Sequence, residues 1–330
     1  MNRRLSLALL AALCGALLLS YDADISVEEL TERYAYPDSD FVTVNDTPVH
    51  YRITGASSQP TLVLVHGVAS SLHTWEGWHD HLSDAFRVVS FDVLPSGLTG
   101  PVSGMVFEPE YLVQFLDQLF DALKLERIHL TGNSYGGWLA WQYALAHPDR
   151  IDKLILVDAE GLSADTDNDV TDNNLGFRIA TTPVLKYVSH VSTPSIVFRK
   201  SIEAVYGDPS KVTDALVTRY RDLMLRTGNR AAFSDTLAML TTLSEGSEQL
   251  SQVTHPTLVL WGERDQTLPV AAAHLFHELI PNSTLKLYPE LGHVPMEEDP
   301  ARTASDVRAF LLANPSEDPT EVDQNVESSR

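Results

Sequence analysis

The sequence predicts an α/β protein: a mostly parallel, doubly wound sheet with a helical insertion after its sixth strand. Three observations predict it. Short continuous runs of Leu and β-branched residues recur along the chain, as in strands buried on both faces of a parallel sheet. Stretches with apolar residues three and four apart lie between those runs. The alternation breaks between residues 161 and 250, where helical patterns continue without a convincing strand. Strands alternating with helices give a parallel sheet covered on both faces. A chain of 330 residues suffices for one large core with a lid.

The elements follow in order. Arg3 and Arg4 precede an apolar run from Leu5 to Leu19, the pattern of a secretory signal or an N-terminal anchor. The run is short for a spanning helix, and no clean small-x-small cleavage site precedes Asp24. Residues 1–23 are therefore expected to export or anchor the chain, on the extracytoplasmic or periplasmic side in a bacterium, with 5–19 as the membrane-attachment segment. Residues 24–40 read as a polar connector. Phe41 to Asn45 and Val49 to Ile53 alternate around Asp46-Thr47-Pro48, which suggests a hairpin. Buried-strand runs follow at Thr61–Val65, Phe86–Phe91, Arg127–Thr131 and Lys153–Val157, then at Thr257–Trp261 and Thr284–Leu287.

Helices are expected over Leu72–Ala85, Glu110–Leu123, Tyr135–Ala146 and Val270–Leu279. In the second, Leu112, Phe115, Leu116, Leu119, Phe120 and Leu123 form one stripe. Asp299-Pro300 is an N-cap followed by proline at the first helical position, opening a helix to Leu312. The domain reading is a core over 41–160 and 251–313, a helical cap over 161–250, and a tail over 314–330. The tail is acidic and poor in apolar residues, so it is expected to be disordered.

Composition excludes several function classes. The formal charge is −22, with no basic stripe to neutralise phosphates, which argues against a nucleic-acid partner. The one cysteine, Cys14, rules out an internal disulfide and a cysteine-based metal site. Its place in the apolar leader argues against thiol catalysis. No motif calls for a metal or an organic cofactor.

Gly132-Asn133-Ser134-Tyr135-Gly136 fits G-x-S-x-G, follows a strand and opens a helix, the context this motif requires. Ser134 is the candidate nucleophile. Small residues at 132 and 136 leave room for the tight turn, and Gly137 lets the helix approach the sheet. A serine hydroxyl needs a base within reach. His293 is the candidate, in Gly292-His293-Val294-Pro295 on the loop after the last strand. The base needs a carboxylate to set its tautomer. Asp265, after the strand Thr257–Trp261, completes the order Ser, Asp, His. Asp158 competes for that role from the end of an earlier strand; hydrogen bonding at the lid entrance is the role expected for it. An oxyanion would be held by two backbone N–H groups, those of Tyr135 and Val68. His66 is read as a brace for the loop carrying Val68. Trp75, Trp138, Phe177 and Val294 are the pocket candidates, together with the side chain of Tyr135.

These motifs together resemble the α/β-hydrolase superfamily, in its lid-bearing group of serine esterases and carbon–carbon bond hydrolases. The resemblance runs from Phe41 to Leu312. It rests on His66-Gly67, Asp92 with Gly97-Leu98-Thr99-Gly100, Gly132 to Gly137, Trp261 to Asp265, and Gly292 to Pro300. Epoxide hydrolases and haloalkane dehalogenases look similar but use an aspartate nucleophile where this chain has Ser134. Ring-cleavage-product hydrolases usually carry Ser-Gly-Pro-Gly after His-Gly and a Trp after the catalytic His; this chain has Val68-Ala69-Ser70-Ser71 and Val294. The Asp92 loop reads Val93-Leu94-Pro95-Ser96 rather than the usual Leu-Pro-Gly. The resemblance implies a carboxylic ester hydrolase of a small, apolar ester, with a carbon–carbon bond hydrolase using the same residues as the alternative. The intact set of three argues against a non-catalytic binding protein of this fold.

Overall fold

A computed structural model describes residues 21–313, apart from 103, 106–107, 163–174, 184 and 241–246. Residues 1–20 of the expected leader, part of the expected cap and the tail over 314–330 therefore lie outside the described residues. Eight strands form one sheet: β1 (Ser39–Val44), β2 (Thr47–Thr54), β3 (Thr61–Val65), β4 (Arg87–Phe91), β5 (Ile128–Ser134), β6 (Ile151–Ala159), β7 (Thr257–Gly262) and β8 (Ser283–Tyr288). Their order is β1-β2-β4-β3-β5-β6-β7-β8. The β1–β2 hairpin joins β4 antiparallel, and β4 to β8 pair in parallel. The hairpin turn is Asn45-Asp46, both left-handed (φ 48° and 62°), as a two-residue turn matching strand twist requires. Thr47 and Pro48 belong to β2, so the turn lies earlier than the expected Asp46-Thr47-Pro48.

Each central strand buries both faces. Val63 and Val65 join the apolar layer beneath α3 (Pro109–Ala122), α4 (Tyr135–Ala146) and α11 (Val270–Leu279). Leu62 and Leu64 point into the opposite layer, beneath α2 (Glu76–Leu82) and α13 (Pro300–Leu312). The period of two sends alternate residues to opposite sides, and helices on both sides explain why these strands read as unbroken apolar runs. The short α12 (Pro295–Glu298) precedes α13, which Asp299 caps through its side chain, accepting from Arg302 N.

Between β6 and β7 the described residues hold helices and no strand of the sheet: α5 (Leu175–Thr181), α6 (Leu185–Ser189), α7 (Ser195–Glu203), α8 (Asp214–Met224), α9 (Asn229–Leu240) and α10 (Ser247–Leu250). The segment read as a connector is ordered and docked. Its helix α1 (Val27–Tyr34) buries Leu30 against Leu98 and Leu223. Ahead of it, Asp22 N donates to Val191 O (2.9 Å) and Ile25 N to Leu225 O (2.8 Å). Buried hydrophobic contact and charge pairing, neither visible in a polar composition, hold this segment to the cap.

Candidate active site

Ser134 is the last residue of β5 and Tyr135 the first of α4. Ser134 adopts φ 54°, ψ −121°, a strained conformation for a residue with a side chain. The turn is tight enough that a Cβ on Gly132 would lie 2.0 Å from Gly136 O, and one on Gly136 would lie 2.3 Å from Val65 O. Only glycine fits at either position. Ser134 therefore stands at the carboxyl end of the parallel strands, where open α/β sheets bind their ligands.

His293 follows β8 on a loop held by its own N–H, which donates to Val205 O (2.8 Å). His293 Nδ1 lies 2.7 Å from Asp265 Oδ2, and the Asp265 side chain is fully buried. Asp265 Oδ1 accepts from Thr267 N (2.7 Å) and Leu268 N (3.1 Å). The carboxylate is thus oriented by the backbone and in turn keeps the imidazole proton on Nδ1, leaving Nε2 as the basic nitrogen. Ser134 and His293 line one cavity of about 1070 Å³ including its open mouth.

The floor of that cavity is Gly67 to Ser70, Asn133 and Ser134. Its walls come from the cap, chiefly Phe177, Ile179, Val197, Phe198, Met224 and Phe233. The rings of Phe177 and Phe233 lie 5.8 Å apart. Of the expected pocket residues, Phe177 and Val294 line the cavity. Trp75 and Trp138 do not. Trp75 is fully buried and packs against Trp78 at 4.9 Å; Trp138 stacks on Tyr135 at 6.0 Å. Both fill the layers between helix and sheet, where large rings bury most area. The Tyr135 side chain joins the same core, its hydroxyl donating to Leu94 O (3.3 Å). Its N–H, at the first turn of α4, has no intrahelical acceptor. Val68 lies in the cavity floor.

His66 sits as a brace. Its Nδ1 donates to Gly67 O (2.7 Å) and its Nε2 accepts from Val93 N (2.9 Å). Burial lowers its pKa and keeps it neutral. Asp158 departs from its expected role. Fully buried, it bonds to the sheet rather than to the lid: its Oδ1 accepts from Gly262 N (3.0 Å) at the end of β7. One ligand-type atom each of Asp158, Asp265 and His293 lies within 4.8 Å of the others. The 2.7 Å contact of His293 Nδ1 with Asp265 aims those two groups at each other rather than at a shared ion.

Sequence reasoning missed three supporting residues. Asn133 Nδ2 donates to Val157 O (3.1 Å) and His293 O (3.0 Å), tying the serine turn to the histidine loop. Its place in the variable slot of G-x-S-x-G was the available signal. Glu298 accepts from Gly292 N (2.6 Å), Gly207 N (3.0 Å) and Asp208 N (3.1 Å), joining the histidine loop to the cap. Glu297 accepts from Thr74 and from the hydroxyls of Tyr206 and Tyr220. Nothing in the local sequence marks either glutamate, since their partners are far away along the chain.

The description alpha/beta hydrolase fold matches residues 60–300. An uncharacterized protein of Mycobacterium tuberculosis is 29% identical over 304 residues, covering 88% of this chain and 85% of its own. The 2-hydroxy-6-oxo-2,4-heptadienoate hydrolase of Pseudomonas putida is 28% identical over 240 residues, covering 70% of this chain and 82% of its own. Among solved structures, a bacterial membrane phospholipase A superposes with a TM-score of 0.73 at 23% identity, covering 93% of this chain and 96% of that one; at that identity the likeness speaks for the fold. With the family pattern matched from β3 to the start of the last helix, this chain belongs to the alpha/beta hydrolase fold family and is a hydrolase.

Proposed function

We propose that this hydrolase is a serine carboxylic ester hydrolase, with Ser134 as nucleophile, His293 as base and Asp265 as the acid that orients the base. The observation that carries the reading is the Asp265–His293 pair at 2.7 Å, facing the cavity that Ser134 also lines. His293 Nε2 takes the hydroxyl proton as Ser134 attacks the ester carbonyl. The N–H groups of Val68 and Tyr135 receive the oxyanion. The alcohol leaves with the proton, and water activated by His293 releases the acid. The apolar cap wall supports a hydrophobic acyl or alcohol group. Ser134→Ala is expected to lower turnover of p-nitrophenyl butyrate by about 10⁴-fold or more with an unchanged melting temperature. A variant retaining wild-type turnover would sink the assignment.

A second reading, a carbon–carbon bond hydrolase, has one observation in its favour. Arg230 lines the cavity and is buried. Its Nη2 is held by Asp24 Oδ1 (2.5 Å) and Asp22 O (3.0 Å), while its Nη1 has no hydrogen-bond partner. That donor suits a substrate carboxylate. Comparing kcat/KM for a vinylogous 1,5-diketone acid with that for the ester decides between the readings.

Residues 5–19 are proposed to export or anchor the chain. Six of the seven exposed large hydrophobics among the described residues support this: Tyr21, where the leader meets the fold, and the cap residues Leu175, Leu185, Tyr187, Val191 and Ile196. Recovery of the full chain in the soluble cytosolic fraction, with its N-terminus intact, would refute it.

A further inference from the structure

Asp158 is the last residue but one of β6, beside the proposed triad, and is used by none of the steps above. Its side chain is fully buried. Oδ1 accepts a single N–H, that of Gly262, and Oδ2 has no hydrogen-bond partner. An atom of this carboxyl group lies within 4.8 Å of both Asp265 and His293. Two buried carboxyl groups this close cannot both be ionised, because each charge raises the cost of the other in a poorly solvated site.

The donors decide which group holds the proton. Asp265 receives three: Thr267 N, Leu268 N and His293 Nδ1. Asp158 receives one. The charge therefore settles on Asp265. We infer that Asp158 is a protonated positioning residue, whose Oδ2–H turns to Asp265 and holds that carboxylate against His293. Burial, then the Asp265 charge, push the Asp158 carboxyl well above the usual carboxylate range. The other titratable groups around it do not offset this. Glu298 adds repulsion, and the Tyr288 hydroxyl stays neutral, its pKa raised by burial. Glu160, half-buried near Asp265 and His293, is itself pushed toward the neutral form by that partial burial.

A neutral donor and an ionised acid predict different variants. Asparagine can keep both contacts of Asp158, donating to Asp265 and accepting from Gly262; leucine keeps neither. Without that donor the Asp265 carboxylate turns its full charge on the imidazolium and stabilises it, so the acidic limb of the rate profile moves to higher pH. The test is kcat/KM for p-nitrophenyl butyrate against pH, with melting temperatures, on the full chain. Asp158→Asn is expected within about threefold of wild type with its acidic limb in place. Asp158→Leu is expected to lose about tenfold and to move that limb up by about half a unit or more. Equal behaviour of the two variants, whether both like wild type or both impaired, overturns the inference.

A second arm uses conservative changes alone and stands even if the leucine variant does not fold. In Asp265→Asn the repulsion is gone, so Asp158 becomes the remaining carboxylate beside the imidazole. Adding Asp158→Asn should then lower the residual kcat by about fivefold or more; equal residual rates overturn the inference. It rests on the reading of Ser134, Asp265 and His293 as the triad, which Ser134→Ala tests separately. Loss of turnover in Ser134→Ala with no Asn–Leu difference at 158 leaves the triad standing and removes only the role of Asp158.

Discussion

Backbone carbonyls are anchored at this site by single side chains. Asn133 is the clearest case, one amide group holding the ends of β6 and of the histidine loop. Removing it strands two buried acceptors, which costs about 1–3 kcal/mol, and lets His293 drift from Ser134. Asn133→Ala is therefore expected to lower the unfolding free energy by about that amount, as read by urea titration, and to lower kcat more than it changes KM. Retention of both stability and kcat would show that the tie is not needed. Ser134 itself was legible, because strand, glycine, serine and glycine spell the turn directly. His293 and Asp265 were legible from chain order and flanking residues. For Trp75 and Trp138 the sequence left pocket and core packing both open, because a large ring near a motif gives no sign of which side it faces. Packing against Trp78 and Tyr135 turned them into the core.

The elements that carry the site differ in how they are held. Sheet strands are secured by ladders and by burial on both faces. The cap depends in addition on the segment before α1, which is charge-paired to it. Asp22 Oδ1 accepts from Arg221 Nη2 (2.6 Å) and Oδ2 from Thr193 N (2.6 Å); Asp24 pairs with Arg230. Thr193 and Arg230 both line the cavity, so this strap touches the pocket wall. Asp22→Ala is expected to destabilise by about 1.5–3 kcal/mol, the cost of losing hydrogen bonds to a charged, largely buried partner. Limited proteolysis should then cut faster within residues 185–200; an unchanged cleavage rate would show that the strap does not secure the cap. The sequence read residues 24–40 as a helical or loose connector; the pairing of Asp24 with Arg230 and of Arg33 with Asp222 was not legible, because those partners lie about two hundred positions further along the chain.

Across the whole molecule, buried histidines link stability to pH. His79 is buried, with Thr54 Oγ1 at 2.7 Å and Ser90 Oγ at 2.8 Å. Burial, followed by Arg52, lowers its pKa to about 3. Burial likewise lowers His73 to about 4. Unfolding restores the ordinary value near 6.5, so below that pH the unfolded chain binds protons that the native one refuses. The contribution is whole above pH 6.5 and falls as pH drops toward 4 and then 3. The unfolding free energy should fall by several kcal/mol, on the order of 3 per histidine, between pH 7 and pH 4. In His79→Gln the slope over that window should be shallower; an identical slope would exclude His79 as a source.

Most of the architecture was determined by sequence alone, because burial on two faces writes continuous apolar runs and burial on one face writes a helical stripe. The serine turn was likewise determined, since its geometry admits few residue types. Only the tertiary structure decided which aromatic rings line the cavity, what holds the segment before β1 to the cap, and which acid pairs with the imidazole. Those outcomes depend on distances between residues far apart in the chain, and on how many donors meet each carboxylate once water has been excluded.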